Sequence, residues 1–128
     1  KYNMVRILVI DDEDDVRYTV SRMLSRYGHD VEVAGDGAQG IAKQRETPFD
    51  VVITDLVMPE KEGIETIREM HVDFPDLPII AMSGGGRKGT SSYLDVAGFM
   101  GAVVTLPKPF IESDLIAAIE KAIGSKSS

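Results

Sequence analysis

Three carboxylates, a hydroxyl and an ammonium each follow a short apolar run. Ile7-Leu8-Val9-Ile10 precedes Asp11 and Asp12, Val51-Val52-Ile53 comes before Asp55, Ile79-Ile80-Ala81-Met82 before Ser83, and Ala102-Val103-Val104 before Lys108. Carboxylate oxygens are the ligands a hard divalent cation takes, and an ammonium or a hydroxyl can hold a phosphoryl oxygen. Gathered in one place, the five side chains make a site for a hard cation and a phosphoryl group. A parallel sheet can do the gathering. Runs rich in Val and Ile, separated by helical stretches, read as buried parallel strands. In an open parallel sheet, chemistry collects beyond the carboxyl ends of the strands.

The pattern predicts five strand–helix units. The first strand spans about residues 5–10, and its helix carries Val16, Val20, Met23, Leu24 and Tyr27 as one apolar stripe before Gly28 ends it. A short second strand, about 31–34, is flanked by charge and belongs at or near an edge. The helix after Gly37 is anchored by Ala38, Ile41 and Ala42 and stops before Pro48, because the residue preceding a proline disfavours the α region. The third strand covers about 50–54, and its helix, anchored by Ile64, Ile67 and Met70, ends near Pro75. Pro78 opens the fourth strand, a loop from Gly84 to Gly89 follows, and a helix from about Thr90 carries Tyr93, Leu94, Ala97 and Met100. The fifth strand spans about 103–106. The last helix buries Leu115, Ile116, Ile119 and Ile123, is capped by Ser113 or a neighbour, and ends at Gly124 before a frayed tail, 125–128. Strict alternation predicts an α/β fold, a doubly wound parallel sheet with helices on both faces, as one domain over residues 1–128.

Composition narrows the function. With 14 Lys+Arg against 21 Asp+Glu, the net charge of −7 argues against direct nucleic-acid binding, which needs basic surface to displace counterions. The absence of cysteine excludes disulfides, thiolate chemistry and Cys-based zinc sites. No apolar stretch approaches the ~20 residues of a membrane span and no signal peptide is visible, so a cytoplasmic protein away from membranes is expected. The chain opens on Lys1 and not Met, which fits a domain trimmed from a longer protein.

Each chemical residue has a plainer reading. A single Asp at a helix start most often caps it and complements its dipole. Two adjacent carboxylates straight after a buried strand do more: like charges raise each other's pKa unless a cation intervenes. Glu13, Asp14 and Asp15 suit the solvated first turn. Asp55 could be an ordinary strand-end residue. In the common doubly wound order 2-1-3-4-5, which strand–helix alternation alone does not fix, the first and third strands are neighbours, and Asp12 faces Asp55 across a crevice. Two carboxylates and one backbone carbonyl suit magnesium, which keeps several waters. Lys108 could be a surface lysine, but Pro107 and Pro109 bracket it and restrict its backbone. Ser83 could merely end a strand, and its hydroxyl could equally donate to a phosphoryl oxygen.

At these residues the chain resembles a response-regulator receiver domain of two-component signalling. The matching text is Ile7-Leu8-Val9-Ile10-Asp11-Asp12-Glu13, Asp55-Leu56-Val57-Met58-Pro59 with Gly63, Met82-Ser83-Gly84, Gly101-Ala102 and Lys108-Pro109-Phe110. The resemblance implies a flavodoxin-like (βα)5 fold. It implies Asp55 as the phosphoacceptor, supplied by a phosphohistidine on a kinase or phosphotransfer protein. Mg2+, or Mn2+ in its place, would be held by Asp12, Asp55 and the Val57 backbone carbonyl, with Asp11 acting mainly through water. Lys108 would pair with the Asp55 carboxylate and then with the phosphoryl group, which Ser83 would hydrogen-bond. A surface of the fourth helix, fifth strand and fifth helix would meet an effector or a second copy of the chain.

Two positions depart from that pattern. Thr105, three residues before Lys108, stands where the family usually carries Tyr or Phe, which puts the usual aromatic switch in doubt. Gly84-Gly85-Gly86 suggests that ordering of a long loop replaces it. Gly84 to Gly89 also fits the opening of a nucleotide-binding P-loop, but Thr90-Ser91 follows where Lys and Ser/Thr are needed. Two rival functions are weighed against a phosphorylation-controlled module that is not a turnover enzyme. One is a degenerate receiver that binds partners without phosphorylation. The other is a phosphatase using Asp12-Glu13-Asp14, a D-x-D pattern resembling the dehalogenase-type phosphatases, which leaves Asp55 and Pro107-Lys108-Pro109 unexplained. His29 and His71 read as isolated surface residues.

Overall fold

Every strand of the structure, a computed structural model that describes residues 4–56, 63–83 and 104–127, is four or five residues long. In chain order the elements are β1 (Arg6–Ile10), α1 (Asp14–Arg26), β2 (Asp30–Ala34), α2 (Gly37–Glu46) and β3 (Val51–Asp55), then α3 (Gly63–Asp73), β4 (Ile79–Ser83), β5 (Val104–Pro107) and α4 (Glu112–Ser127). The expected glycine loop and the helix from Thr90 lie outside the described residues, so α4 is the fifth helix of the sequence reading. The sheet is parallel throughout with the order 2-1-3-4-5. β2 is an edge strand, as its charged flanks suggested.

Successive side chains of a strand point to opposite faces, so each central strand feeds two cores. Ile7 and Val9 of β1 join Ile53, Ile80 and Met82 under α1 and α4, where Val20, Leu24, Leu115 and Ile119 meet them. Leu8 and Ile10 join Val52, Ile79 and Ala81 under α2 and α3, against Ile41, Ile67 and Met70. This two-sided burial explains runs of consecutive apolar residues in place of alternation. On the edge strand β5 alternation returns: Val104 and Leu106 are buried, Thr105 and Pro107 exposed.

Helix ends follow local chemistry. Gly28, with φ +88°, takes the left-handed conformation after α1, and its N–H reaches back to the Ser25 carbonyl at 2.9 Å. Asp36 caps α2 by accepting the Gln39 N–H at 2.8 Å. At the start of α4 the expected capping falls to a neighbour of Ser113 and not to Ser113 itself: Asp114 Oδ2 accepts the Ile111 N–H at 3.1 Å. Nor does Gly124 stop this helix, which runs on to Ser127. A glycine in a right-handed helix costs only about 1 kcal/mol relative to Ala, and it ends one when it turns left-handed, as Gly28 does and Gly124 does not.

The buried face of α2 also differs. Ala38 and Ala42 are exposed, and Gly37, Gly40, Ile41 and Gln44 face the sheet. Gly40 lets the helix close on β1: a Cβ there would lie 2.3 Å from Ile10 Cδ1 and 2.8 Å from Cγ1. Gln44 is buried because its Oε1 accepts the Phe49 N–H at 2.9 Å. His29 is half-buried and not isolated; its Nδ1 accepts the Val5 N–H at 3.3 Å, and burial lowers its pKa. Among the described residues no helix is long and apolar enough to cross a membrane.

Gly40→Ala separates packing from propensity. Helix propensity alone favours alanine by about 1 kcal/mol, whereas forcing a methyl into a filled core costs about 1–3 kcal/mol. The fully buried Ile10 has nowhere to go. Urea unfolding should therefore show Gly40→Ala to be less stable than the parent chain.

Candidate functional site

The parallel register brings the chemical residues to one end of the sheet. Asp11 is the first residue past β1, and its N–H donates to the Ala34 carbonyl at 3.1 Å, one step beyond the strand pairing. Its side chain is fully buried. Oδ1 accepts the Glu13 N–H at 2.9 Å and starts the turn into α1, while Oδ2 accepts from Lys108 Nζ at 3.2 Å. With both oxygens engaged, Asp11 is a strut as much as a charge. Asp12 follows and is exposed.

Asp55 is the last residue of β3, one position later than the sequence placed the strand's end. It is 8% exposed, and its Oδ1 lies 3.4 Å from Lys108 Nζ. One oxygen from each of Asp11, Asp12 and Asp55 falls within 4.8 Å of the others, the spacing of a group that could hold a metal ion.

Backbone bonds set the remaining pieces. The Leu56 N–H donates to the Met82 carbonyl at 2.9 Å, which places Ser83 one residue beyond the point where β4 meets Asp55. Ser83 is buried and pairs in register with Pro107. Its carbonyl accepts the Lys108 N–H at 2.6 Å, so the lysine is fixed to β4 at its own backbone. The Lys108–Pro109 peptide is cis.

Gly63 opens α3 directly on this end of β3. Its N–H donates to the Leu56 carbonyl at 2.9 Å, and a Cβ there would lie 1.9 Å from the Asp55 carbonyl oxygen. Only a residue without a side chain allows that approach.

Burial and crowding tune the charges. Burial pushes the Asp55 carboxyl up; Lys108 opposes this, and Asp11 and Asp12 add to it, leaving its pKa at about 6. Burial works against the Lys108 charge, but Asp55 and Asp11 outweigh it and hold the ammonium above its ordinary range. A raised carboxyl pKa means that ionising Asp55 costs more in the folded chain than in the unfolded one. The price is on the order of 3 kcal/mol. Its effect on stability is absent below the ordinary carboxylate range and grows as the pH rises to about 6.

Of the residues singled out from sequence, Asp11, Asp12, Asp55 and Lys108 form one cluster with Ser83 beside it. Val57 and the glycine loop lie outside the described residues. Thr105 is exposed between buried Val104 and Leu106. Sequence reasoning missed Arg17. Its guanidinium donates to the Asp11 carbonyl oxygen at 2.6 Å and pairs with the Asp14 carboxylate. The i, i+3 spacing of Asp14 and Arg17 was a readable signal for the ion pair, but nothing in the sequence announced the backbone bond.

This sheet and this pocket define an α/β domain of the flavodoxin-like kind, with its site at the carboxyl ends of its strands. The chain belongs to the response regulator receiver domain family, whose profile matches residues 7–120. It is 39% identical over 114 residues to a response regulator MprA of Mycobacterium sp. (strain KMS), covering 88% of this chain and 48% of that protein. It is 34% identical over 121 residues to the DNA-binding transcriptional regulator NtrC of Azospirillum brasilense, covering 94% of this chain and 24% of that protein. The chain thus spans between about a quarter and a half of these relatives. A crystal structure of a response regulator receiver domain protein from Clostridium thermocellum superposes with a TM-score of 0.89 at 32% identity, covering 97% of this chain and 98% of that one. Membership of the family makes this a signalling domain with a phosphoacceptor role in two-component systems.

Lys108→Met tests the charge balance. Carbon-detected NMR titration of the metal-free chain should place Asp55 near 6 and, in the variant, above it, because the one opposing charge is gone. A lower Asp55 pKa in the variant contradicts the assignment of Lys108 as its counter-charge.

Proposed function

We infer that Asp55 takes a phosphoryl group from the phosphohistidine of a histidine kinase or histidine phosphotransfer protein. A carboxylate oxygen of Asp55 attacks phosphorus. The new O–P bond forms as the N–P bond breaks, and the imidazole leaves with the electron pair. Phosphoryl transfer depends on in-line positioning and charge neutralisation more than on covalent help from the protein. The observation that carries this reading is the buried Asp55 carboxylate facing the Lys108 ammonium at 3.4 Å, with Asp11 and Asp12 beside it.

The donor set suits Mg2+, or Mn2+: all oxygen, anionic and too few for a full protein cage. Burial, with the Asp11 and Asp12 charges adding to it, pushes Asp55 up to about 6, and a divalent cation beside it would offset both effects. Asp12 and Asp55 hold the ion in this reading with the Val57 carbonyl, and Asp11 contributes mainly through water because Lys108 and Glu13 already occupy its oxygens. When bound, the cation supplies charge neutralisation for the transferring phosphoryl group. Lys108 holds a phosphoryl oxygen once Asp55 carries the acyl phosphate, and the Ser83 hydroxyl donates to another. The acyl phosphate is then lost to water, so the domain is a transient switch and not a turnover enzyme. Its output surface, in this reading, uses β5 and α4 toward an effector or a second copy of the chain. The degenerate-receiver reading loses ground because no member of the charged set is missing.

Incubation with a small acyl-phosphate donor and Mg2+ should add one phosphoryl group, seen by intact mass, and Asp55→Asn should reduce labelling to background. Retained labelling in Asp55→Asn would falsify the assignment of the acceptor. Hydrolysis of a generic phosphate ester that survives this substitution would revive the phosphatase reading.

A further inference from the structure

Asp12 sits in a turn that has left the sheet. β1 pairs with β3 only as far as Ile10 and Thr54, so the peptide groups after Ile10 lose strand partners on that side. Three bonds hold the turn, one of them on the β2 side. The Asp11 N–H reaches the Ala34 carbonyl, the Glu13 N–H reaches Asp11 Oδ1, and the Arg17 guanidinium reaches the Asp11 carbonyl oxygen at 2.6 Å. The last of these holds the peptide that joins Asp11 to Asp12. Arg17 is well placed for it: its side chain is 21% exposed, whereas Asp14, its ion-pair partner, is 89% exposed. An ion pair that wet contributes little. The charge-assisted bond to a backbone oxygen is the stronger interaction.

We propose that Arg17 is a positioning residue for the cation site: it fixes the Asp11–Asp12 peptide and thereby holds the exposed Asp12 carboxylate within reach of Asp55. This deepens the proposed Mg2+ binding and rests on that reading. The effect runs through geometry. As a cation near three carboxylates, Arg17 can only repel a divalent ion, so its charge and its hydrogen bond predict opposite signs. If charge dominates, removing Arg17 tightens Mg2+ binding. If positioning dominates, removal loosens it, by the roughly ten-fold or more that loss of an orienting partner around a metal ligand brings.

Calorimetric titration of Mg2+ into the parent chain, Arg17→Ala, Arg17→Lys and Asp14→Asn distinguishes the two. Weaker binding is expected in Arg17→Ala, part recovery in Arg17→Lys, which keeps one donor, and parent-like binding in Asp14→Asn, which loses only the exposed ion pair. Acyl-phosphate labelling of Arg17→Ala should need more Mg2+ but approach the parent rate at saturation. Amide exchange supplies a metal-free arm: the Glu13 amide, which donates to Asp11 Oδ1, should lose protection in Arg17→Ala while those of β3 keep theirs, and Arg17→Lys serves the same comparison if the alanine variant does not fold. Mg2+ binding in Arg17→Ala that equals or exceeds the parent's overturns the proposal, as does unchanged protection at Glu13. A parent chain that binds no Mg2+ while Arg17→Ala still loses that protection overturns the cation reading of the preceding section and leaves Arg17 holding the turn alone.

Discussion

Three carboxylates whose oxygens approach within 4.8 Å repel one another, and the carboxyl end of the sheet is organised around that repulsion. Two like unit charges ~4 Å apart cost about 4 kcal/mol at an effective dielectric constant near 20. Lys108 cancels one of the three charges. Asp11 engages its oxygens with Lys108 and the Glu13 N–H, and Asp55, pushed up first by burial and further by its neighbours' charge, holds its proton to about pH 6. What remains is an excess of negative charge and a partly protonated carboxyl, and a cation bound there would ease both.

Position is supplied by backbone, not by side-chain packing within the pocket. Asp11, Asp55 and Lys108 are each fixed by strand pairing or by a main-chain bond at the next residue: Ala34 for Asp11, Met82 for the residue after Asp55, and Ser83 for Lys108. Glycines remove obstacles to this arrangement. Gly63 lets α3 begin against the Asp55 carbonyl, and Gly40 lets α2 press on Ile10, one residue before the carboxylate pair.

Much of this was legible. The Val- and Ile-rich runs located every strand within about two residues, because two-sided burial leaves a continuous apolar signature. The same runs pointed to the chemical residues, because each stands at or near the end of one. The helices were less transparent. The buried face of α2 uses Gly37, Gly40 and Gln44, which hydropathy does not mark as apolar; Gln44 is admitted by a hydrogen bond and the glycines by close approach. Gly124 looked like a helix end and is not, since a glycine's backbone angles cannot be read from its name. Arg17 was invisible as a site residue because its partner is a carbonyl oxygen, which every residue has.

The sheet order gives the pocket two unequal halves. Asp11 and Asp55 leave adjoining strands, and β1 and β3 each have a hydrogen-bonded neighbour on both sides, so these carboxylates stand on the interior of the sheet. Lys108 leaves β5, which has one neighbour and nothing further out in the sheet. A change of load between the carboxylates and the ammonium therefore meets high resistance on one side and low resistance on the other. Such a change of load would be taken up first by β5.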